Sequence, residues 1–273
     1  MHARELLRRF GYRPKKRLGQ HFLMDSAAAA RIAQLVAPAP GERVIEIGPG
    51  TGTLTRALLD ARAAVTAIEL DEDMVRILRS RDDLAGAEIV HADALTFDYA
   101  GFAAGSTWRC TGNLPYNIAT PLIVRFIEMP AGPESLVVMM QKDVADRLNA
   151  KPGTRAYGSL SIAVQYAMHV ERAFTLPPGV FYPRPKVHST VVRLQRRERP
   201  AVSVADEARF LQVVRGAFAY RRKTLANSLS LALKIDRMAV TNALTQLDYN
   251  TEIRGEQLAI GDFARIADAL TLP

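Results

Sequence analysis

From residue 25 to about residue 195, two hydrophobic periodicities take turns along the chain. Apolar positions three and four apart, as in residues 27–36 behind Asp25 and Ser26, predict a capped helix. Short β-branched runs, as in residues 43–47 ahead of a Gly-Pro-Gly turn, predict strands. On this basis strands are expected at 43–47, 64–69, 88–91, 107–111 and 136–140, and helices at 27–36, 54–59, 73–79, 121–128 and 142–148. Alternation of this kind implies right-handed crossovers and a parallel sheet covered on both faces. Two further strand patterns, 168–175 and 189–195, flank a turn-rich stretch at 177–185. Past a linker-like segment of mixed charge at 196–204 come only helical patterns, at 206–219, 223–231, 238–246 and 255–269. The expected organisation is an arm (1–24), an α/β domain (25–196) and a small all-helical domain (197–273).

Composition narrows this picture. With 273 residues, 48% of them hydrophobic, the chain can bury a substantial core. It has no apolar run of 18 residues, and its first residues lack the apolar core of a secretory signal, although their arginines also fit a transit peptide. Cys110 is the single cysteine, which excludes an internal disulfide and a multi-cysteine zinc site. No metal is expected, and the protein reads as soluble and cytoplasmic.

The net charge of +8 is unevenly spread. Residues 1–23 hold seven Lys and Arg against one Glu, whereas residues 24–196 are balanced. The surplus centres on Arg13, Lys15, Lys16 and Arg17, with a second cluster at Arg221, Arg222 and Lys223 behind Tyr220. Each cluster reads either as a solvated surface or as a grip on a polyanion such as RNA.

Candidate chemistry collects at the ends of the expected strands. The first strand runs into Gly48-Pro49-Gly50-Thr51-Gly52, where glycines let backbone approach a ligand closely. In open α/β sheets ligands bind at the carboxyl ends of strands. Glu69 ends the second strand, placed to accept both hydroxyl protons of a ribose. Asp93 ends the third, where it could accept from the exocyclic amine of an adenine or equally cap a helix. A nicotinamide-binding enzyme shares much of this, so the pattern alone leaves an oxidoreductase open.

The segment after the fourth strand, Asn113-Leu114-Pro115-Tyr116, departs from that alternative. An exocyclic amine on an aromatic base is a poor nucleophile, because its lone pair is delocalised into the ring. It has to be held in line with its electrophile. The Asn113 side-chain oxygen and the Leu114 carbonyl can accept both amine protons, and Pro115 restricts Leu114 to an extended conformation. Tyr116 would stack on a base that has left its helix.

Together with Lys16-Arg17-Leu18-Gly19-Gln20-His21-Phe22-Leu23, Phe181-Tyr182-Pro183-Arg184-Pro185-Lys186-Val187 and Arg221-Arg222-Lys223-Thr224, these stretches resemble the rRNA adenine N6-dimethyltransferases, and within them the bacterial enzymes of small-subunit (16S) rRNA. The resemblance spans residues 16 to about 228. It implies a Rossmann-like class I methyltransferase sheet, S-adenosylmethionine as methyl donor, and 16S rRNA in the small subunit or its precursor as partner. It further implies cofactor contacts at His21, Leu23, Gly48, Gly50, Glu69, Asp93 and Asn113, and a target base flanked by Tyr116 and Phe181. Residues 197–273 become an RNA-binding domain. The family often has asparagine where His21 stands, and a backbone contact at that position would survive the change. Three rivals stay in view: a large-subunit rRNA methyltransferase of the antibiotic-resistance type, a nicotinamide oxidoreductase, and an RNA-binding assembly factor without catalysis.

Overall fold

The computed structural model describes residues 3–271, apart from the side chains of residues 3, 116 and 117. The helices are α1 (Ala3–Arg9), α2 (Ser26–Val36), α3 (Thr53–Asp60), α4 (Glu72–Arg79), α5 (Tyr99–Ala103), α6 (Tyr116–Glu128), α7 (Lys142–Leu148), α8 (Ser159–Ala167), α9 (Glu207–Ala219), α10 (Leu225–Leu233), α11 (Arg237–Gln246) and α12 (Ile260–Ala269). The strands are β1 (Phe22–Leu23), β2 (Arg43–Ile47), β3 (Ala64–Glu69), β4 (Glu88–His91), β5 (Arg109–Asn113), β6 (Ser135–Gln141), β7 (Met168–Leu176), β8 (Phe181–Tyr182) and β9 (Ser189–Arg196).

Seven strands form one sheet in the order β4-β3-β2-β5-β6-β9-β7. Strands β2 to β6 run parallel, and β9 joins β6 antiparallel. The parallel strands are nearly continuous apolar runs, as expected where both faces are covered: Val44, Ile45 and Ile47 of β2 are all buried. Strand order reverses between β2 and β5, and there the register brings Ile47 level with both Ile68 and Gly112. The glycine loop after β2, the acidic end of β3 and Asn113 therefore emerge side by side at one sheet edge. Gly112 makes this possible. Its φ is +155°, and a Cβ there would fall 2.3 Å from the Ile47 carbonyl oxygen.

Polar caps start the helices around this edge. Asp25 accepts from the Ala27 and Ala28 amides ahead of α2, and Asp71 accepts from the Asp73 amide ahead of α4. Away from the edge lies an aromatic nest. Trp108 stacks on Tyr99 at 5.5 Å with ring planes 3° apart, meets Phe126 edge-on at 5.6 Å, and donates to the Ala131 carbonyl at 3.1 Å.

The chain divides into two compact units, residues 1–145 with 170–196, and residues 146–169 with 197–273. This differs from the single cut expected at 196, and the arm joins the first unit. In the second unit Tyr157, Ile162 and Tyr166 share one core with Phe210, Val214, Leu229, Leu244 and Phe263. The segment 146–169 therefore packs with helices far from it in sequence. That segment contains α8, which is absent from the helices expected on periodicity. Among the described residues no helix is long and apolar enough to cross a membrane.

Candidate active site

A cavity of about 250 Å³ opens at the reversal point of the sheet, lined entirely from the first unit. It gathers His21, Leu23, Gly48, Gly50, Glu69, Asp93, Asn113, Leu114, Pro115 and Phe181, each of which the sequence pointed to. Its outer wall is the arm segment from Arg17 to Leu23.

One wall is acidic. Glu69 ends β3 buried, and its Oε1 accepts from the Asp71 amide at 2.9 Å. Burial pushes its carboxyl up to about 7, against hydrogen bonds from backbone amides that lower it. Glu46, mid-strand in β2 and 1% exposed, is likewise pushed up to about 7, by burial first and by the nearby Glu69 charge in addition. The Glu46 Oε2 is buried with no well-aligned hydrogen bond, and the Thr55 hydroxyl, itself without another partner, is the group beside it that lowers its carboxyl. A buried carboxylate with one hydroxyl beside it is costly, so this wall has capacity for a further donor or positive charge. Glu46 is a site residue to which the sequence patterns assign no role. A signal for it exists all the same: a lone acid inside the apolar run Val44-Ile45-Glu46-Ile47.

Asp93 lines the same cavity while one of its oxygens accepts from the Leu95 amide at 2.8 Å, so it closes a local turn as well as facing the pocket. Gly50 has φ +55°, and a Cβ there would lie 2.7 Å from the Phe22 ring. That approach packs the arm directly on the glycine loop.

The opposite wall is neutral and pinned by backbone. Asn113 donates through Nδ2 to the His21 carbonyl at 2.7 Å, which leaves its side-chain oxygen as the acceptor. The Leu114 amide donates to the Met139 carbonyl at 2.9 Å, and Pro115, at φ −55° and ψ 142°, precedes α6. The bond from Asn113 to residue 21 uses main chain, so it is indifferent to histidine or asparagine there. The imidazole is held separately: its Nδ1 lies 2.7 Å from the Pro183 carbonyl, which can only accept, so Nδ1 carries the proton.

Phe181 is 1% exposed and packs in a core cluster with Leu23, Val137, Met139 and Val191 while bordering the cavity. The sequence did not foresee the two-stranded sheet that places it, in which β8 pairs antiparallel with β1, Leu23 opposite Phe181. Tyr116 begins α6, but its side chain lies outside the described residues, so its stacking role has no geometry here.

The basic clusters split. Arg13, Lys16 and Arg17 are exposed. Lys15 differs from the other three arm cations expected to face a polyanion: its ammonium pairs with Asp71 at 2.6 Å and Asp73 at 2.8 Å. In the second unit Arg222 and Lys223 are exposed, whereas Arg221 bonds Glu256 at 3.2 Å and the Arg155 carbonyl at 2.6 Å. Sequence shows the sign of a charge but not its partner.

The chain is similar to known proteins over nearly its whole length. A protein named ribosomal RNA small subunit methyltransferase A from Hahella chejuensis is 43% identical over 94% of this chain and 93% of its own length. One of the same name from Lactococcus lactis subsp. lactis is 41% identical over 98% and 94%. Among solved structures, a dimethyladenosine transferase from Plasmodium falciparum superposes with a TM-score of 0.77 at 26% identity, covering 90% of this chain and 96% of that one. The 23S rRNA methyltransferase ErmE gives 0.68 at 27%, covering 91% and 99%. The family model described as ribosomal RNA adenine dimethylase matches residues 11–272, and the chain belongs to that family.

Proposed function

We propose that the cavity binds S-adenosylmethionine and that the chain uses it to dimethylate N6 of adenines in 16S rRNA during small-subunit biogenesis in the cytoplasm. The observation that carries this reading is the Asn113 side chain, whose amide nitrogen is fixed on the His21 carbonyl so that its oxygen is the acceptor at the cavity. The acidic wall fits the cofactor. Glu69 would hold the ribose hydroxyls, the buried Glu46 carboxylate would take a donor from the ligand, Asp93 would meet the adenine amine, and Gly48 and Gly50 would allow close backbone approach. When bound, S-adenosylmethionine supplies the electrophilic methyl carbon.

The chain's own part is positioning. Asn113 and the Leu114 carbonyl accept from the target amine and hold its nitrogen in line, and Phe181 with Tyr116 flanks the base. The amine becomes acidic as the new bond forms and loses its proton without a strong base, so orientation supplies most of the rate. The exposed Arg13, Lys16, Arg17, Arg222 and Lys223 would grip phosphates. Small-subunit rRNA is favoured over large-subunit rRNA by relatives above 40% identity that carry the small-subunit name over nearly their full length.

The test is a methylation assay with labelled donor on small subunits from a strain lacking the modification, read by nucleoside mass spectrometry. The expected product is N6,N6-dimethyladenine. Label in large-subunit rRNA alone, or none in either, would overturn the reading.

A further inference from the structure

The arm that forms the outer wall of the cavity has no apolar anchor of its own along much of its course. Leu6 and Leu7 before it and Phe22 after it join an apolar cluster with Met74 and Ile77; within it only the half-buried Tyr12 packs against that cluster, and no residue from 11 to 21 is buried. Asn113 and the Pro183 carbonyl hold its far end at His21, and between there and Tyr12 the polar bonds converge on one carboxylate. The Asp71 side chain is fully enclosed, with 0% of its surface exposed. Its Oδ2 accepts from the Tyr12 hydroxyl at 2.6 Å and from Gln20 Nε2 at 3.0 Å, and its Oδ1 accepts from Lys15 Nζ at 2.6 Å and from the Asp73 amide at 3.1 Å. Gln20 closes the knot: its Oε1 accepts from the Lys15 amide at 2.8 Å and lies 2.7 Å from the Tyr12 oxygen, whose single proton goes to Asp71. The Asp71 amide meanwhile donates to Glu69 Oε1, so the knot is one residue-pair removed from the acidic wall.

We propose that Asp71 is a positioning residue for the cofactor: its carboxylate clasps residues 12–20 so that residues 17–23 stay in place as the cavity's outer wall, and breaking the clasp frees the cofactor. The proposal rests on the cofactor assignment above. All four neighbours of Asp71 are donors, and an ionised carboxylate is the side chain that accepts from every one of them. Burial raises the Asp71 carboxyl, yet the bonds from Lys15, Tyr12 and Gln20 outweigh it and leave the group below the ordinary carboxylate range, so the clasp is charged at neutral pH. Lys15, bound first to Asp71 and then to Asp73, is raised in turn.

Asp71→Asn is nearly isosteric and keeps an oxygen that can cap α4, but it sets an amide donor against donors. Lys15→Met breaks the clasp from the half-exposed side and leaves Asp71 in place. Calorimetry and cofactor displacement on the full chain, with initial rates on small subunits, separate binding from turnover. Both variants are expected to raise the dissociation constant for S-adenosylmethionine by about tenfold or more, mainly through faster release, while turnover at saturating cofactor falls by less than about threefold. Lys15→Arg, which keeps the charge, restores tight binding. Unaltered affinity in both variants overturns the clasp, and so does a parallel fall of affinity, turnover and melting temperature, which would mark a purely structural bond. A wild-type chain that fails to bind S-adenosylmethionine overturns the cofactor assignment and the clasp's role with it.

Discussion

The two walls of the cavity are built on opposite principles. The acidic wall buries Glu46 and Glu69 close together, and Glu46 has only the Thr55 hydroxyl beside its carboxylate. The neutral wall leaves little open: Asn113 is fixed by the His21 carbonyl, Leu114 by the Met139 carbonyl, and Phe181 by dense packing. One wall holds an electrostatic demand that a ligand must meet, and the other holds a shape already set before anything binds. Electrostatic demand serves affinity, whereas preset geometry serves rate.

That contrast breaks first at Asn113. Asn113→Ala should slow methyl transfer by at least about 100-fold while changing cofactor affinity only a few-fold, because its acceptor serves the target amine. Single-turnover rates alongside calorimetry check this, and equal losses in both would place Asn113 on the cofactor's side. Glu69→Ala should do the reverse, weakening cofactor binding by about 1.5–3 kcal/mol through loss of a charged acceptor. Unchanged affinity would remove Glu69 from the ribose site. Phe181→Leu keeps apolar bulk and loses the ring face, so a fall in transfer of about tenfold with normal cofactor affinity would separate stacking from packing. Leucine is the sharper probe, since alanine at so buried a position would cost about 3–5 kcal/mol of stability.

The acidic wall also carries a pH signature. Glu46 and Glu69 titrate at about 7 in the folded chain against an ordinary 4.5, so between those values the folded state holds more protons than the unfolded one. The stability they contribute is present below pH 4.5 and is lost as pH rises through about 7. A ligand that needs both ionised must expel those protons. Cofactor affinity should therefore rise by about tenfold per proton released between about pH 6 and 8 and level off above. Titration calorimetry in buffers of different ionisation enthalpy counts the protons, and a flat profile would mean that the wall is ionised before binding. The smallest effect lies outside both walls. Replacing Arg13, Lys16 and Arg17 with glutamine should flatten the salt dependence of RNA binding by about 0.7–0.9 for each phosphate no longer neutralised.

The sheet was legible because its central strands are buried on both faces and read as apolar runs: β2 and β3 fall where the periodicity puts them, and so does the edge strand β4, of which Ile89 alone is buried. The strand-end residues of the site followed from the same logic, since the carboxyl end of a strand is a position along the sequence. What resisted reading depends on partners distant in sequence. Helix α8, Ser-Leu-Ser-Ile-Ala-Val-Gln-Tyr-Ala, has no strongly polar face, and its place in the second unit is set by packing with residues beyond 200. The pairing of β1 with β8 joins two dipeptides about 160 residues apart, too short for any periodicity. Lys15 looked like its neighbours because nothing local distinguishes a free lysine from one facing two aspartates.

Trp108 is the chain's only tryptophan, and it lies stacked in the aromatic nest of the first unit. Its emission therefore reports the melting of that unit alone, whereas far-ultraviolet dichroism registers helices of both. Followed together on heating, the two signals show whether the helical unit unfolds with the sheet or on its own. Coincident transitions would describe one cooperative molecule, and separated ones would mean that a lesion in the helical unit can leave the cofactor site standing.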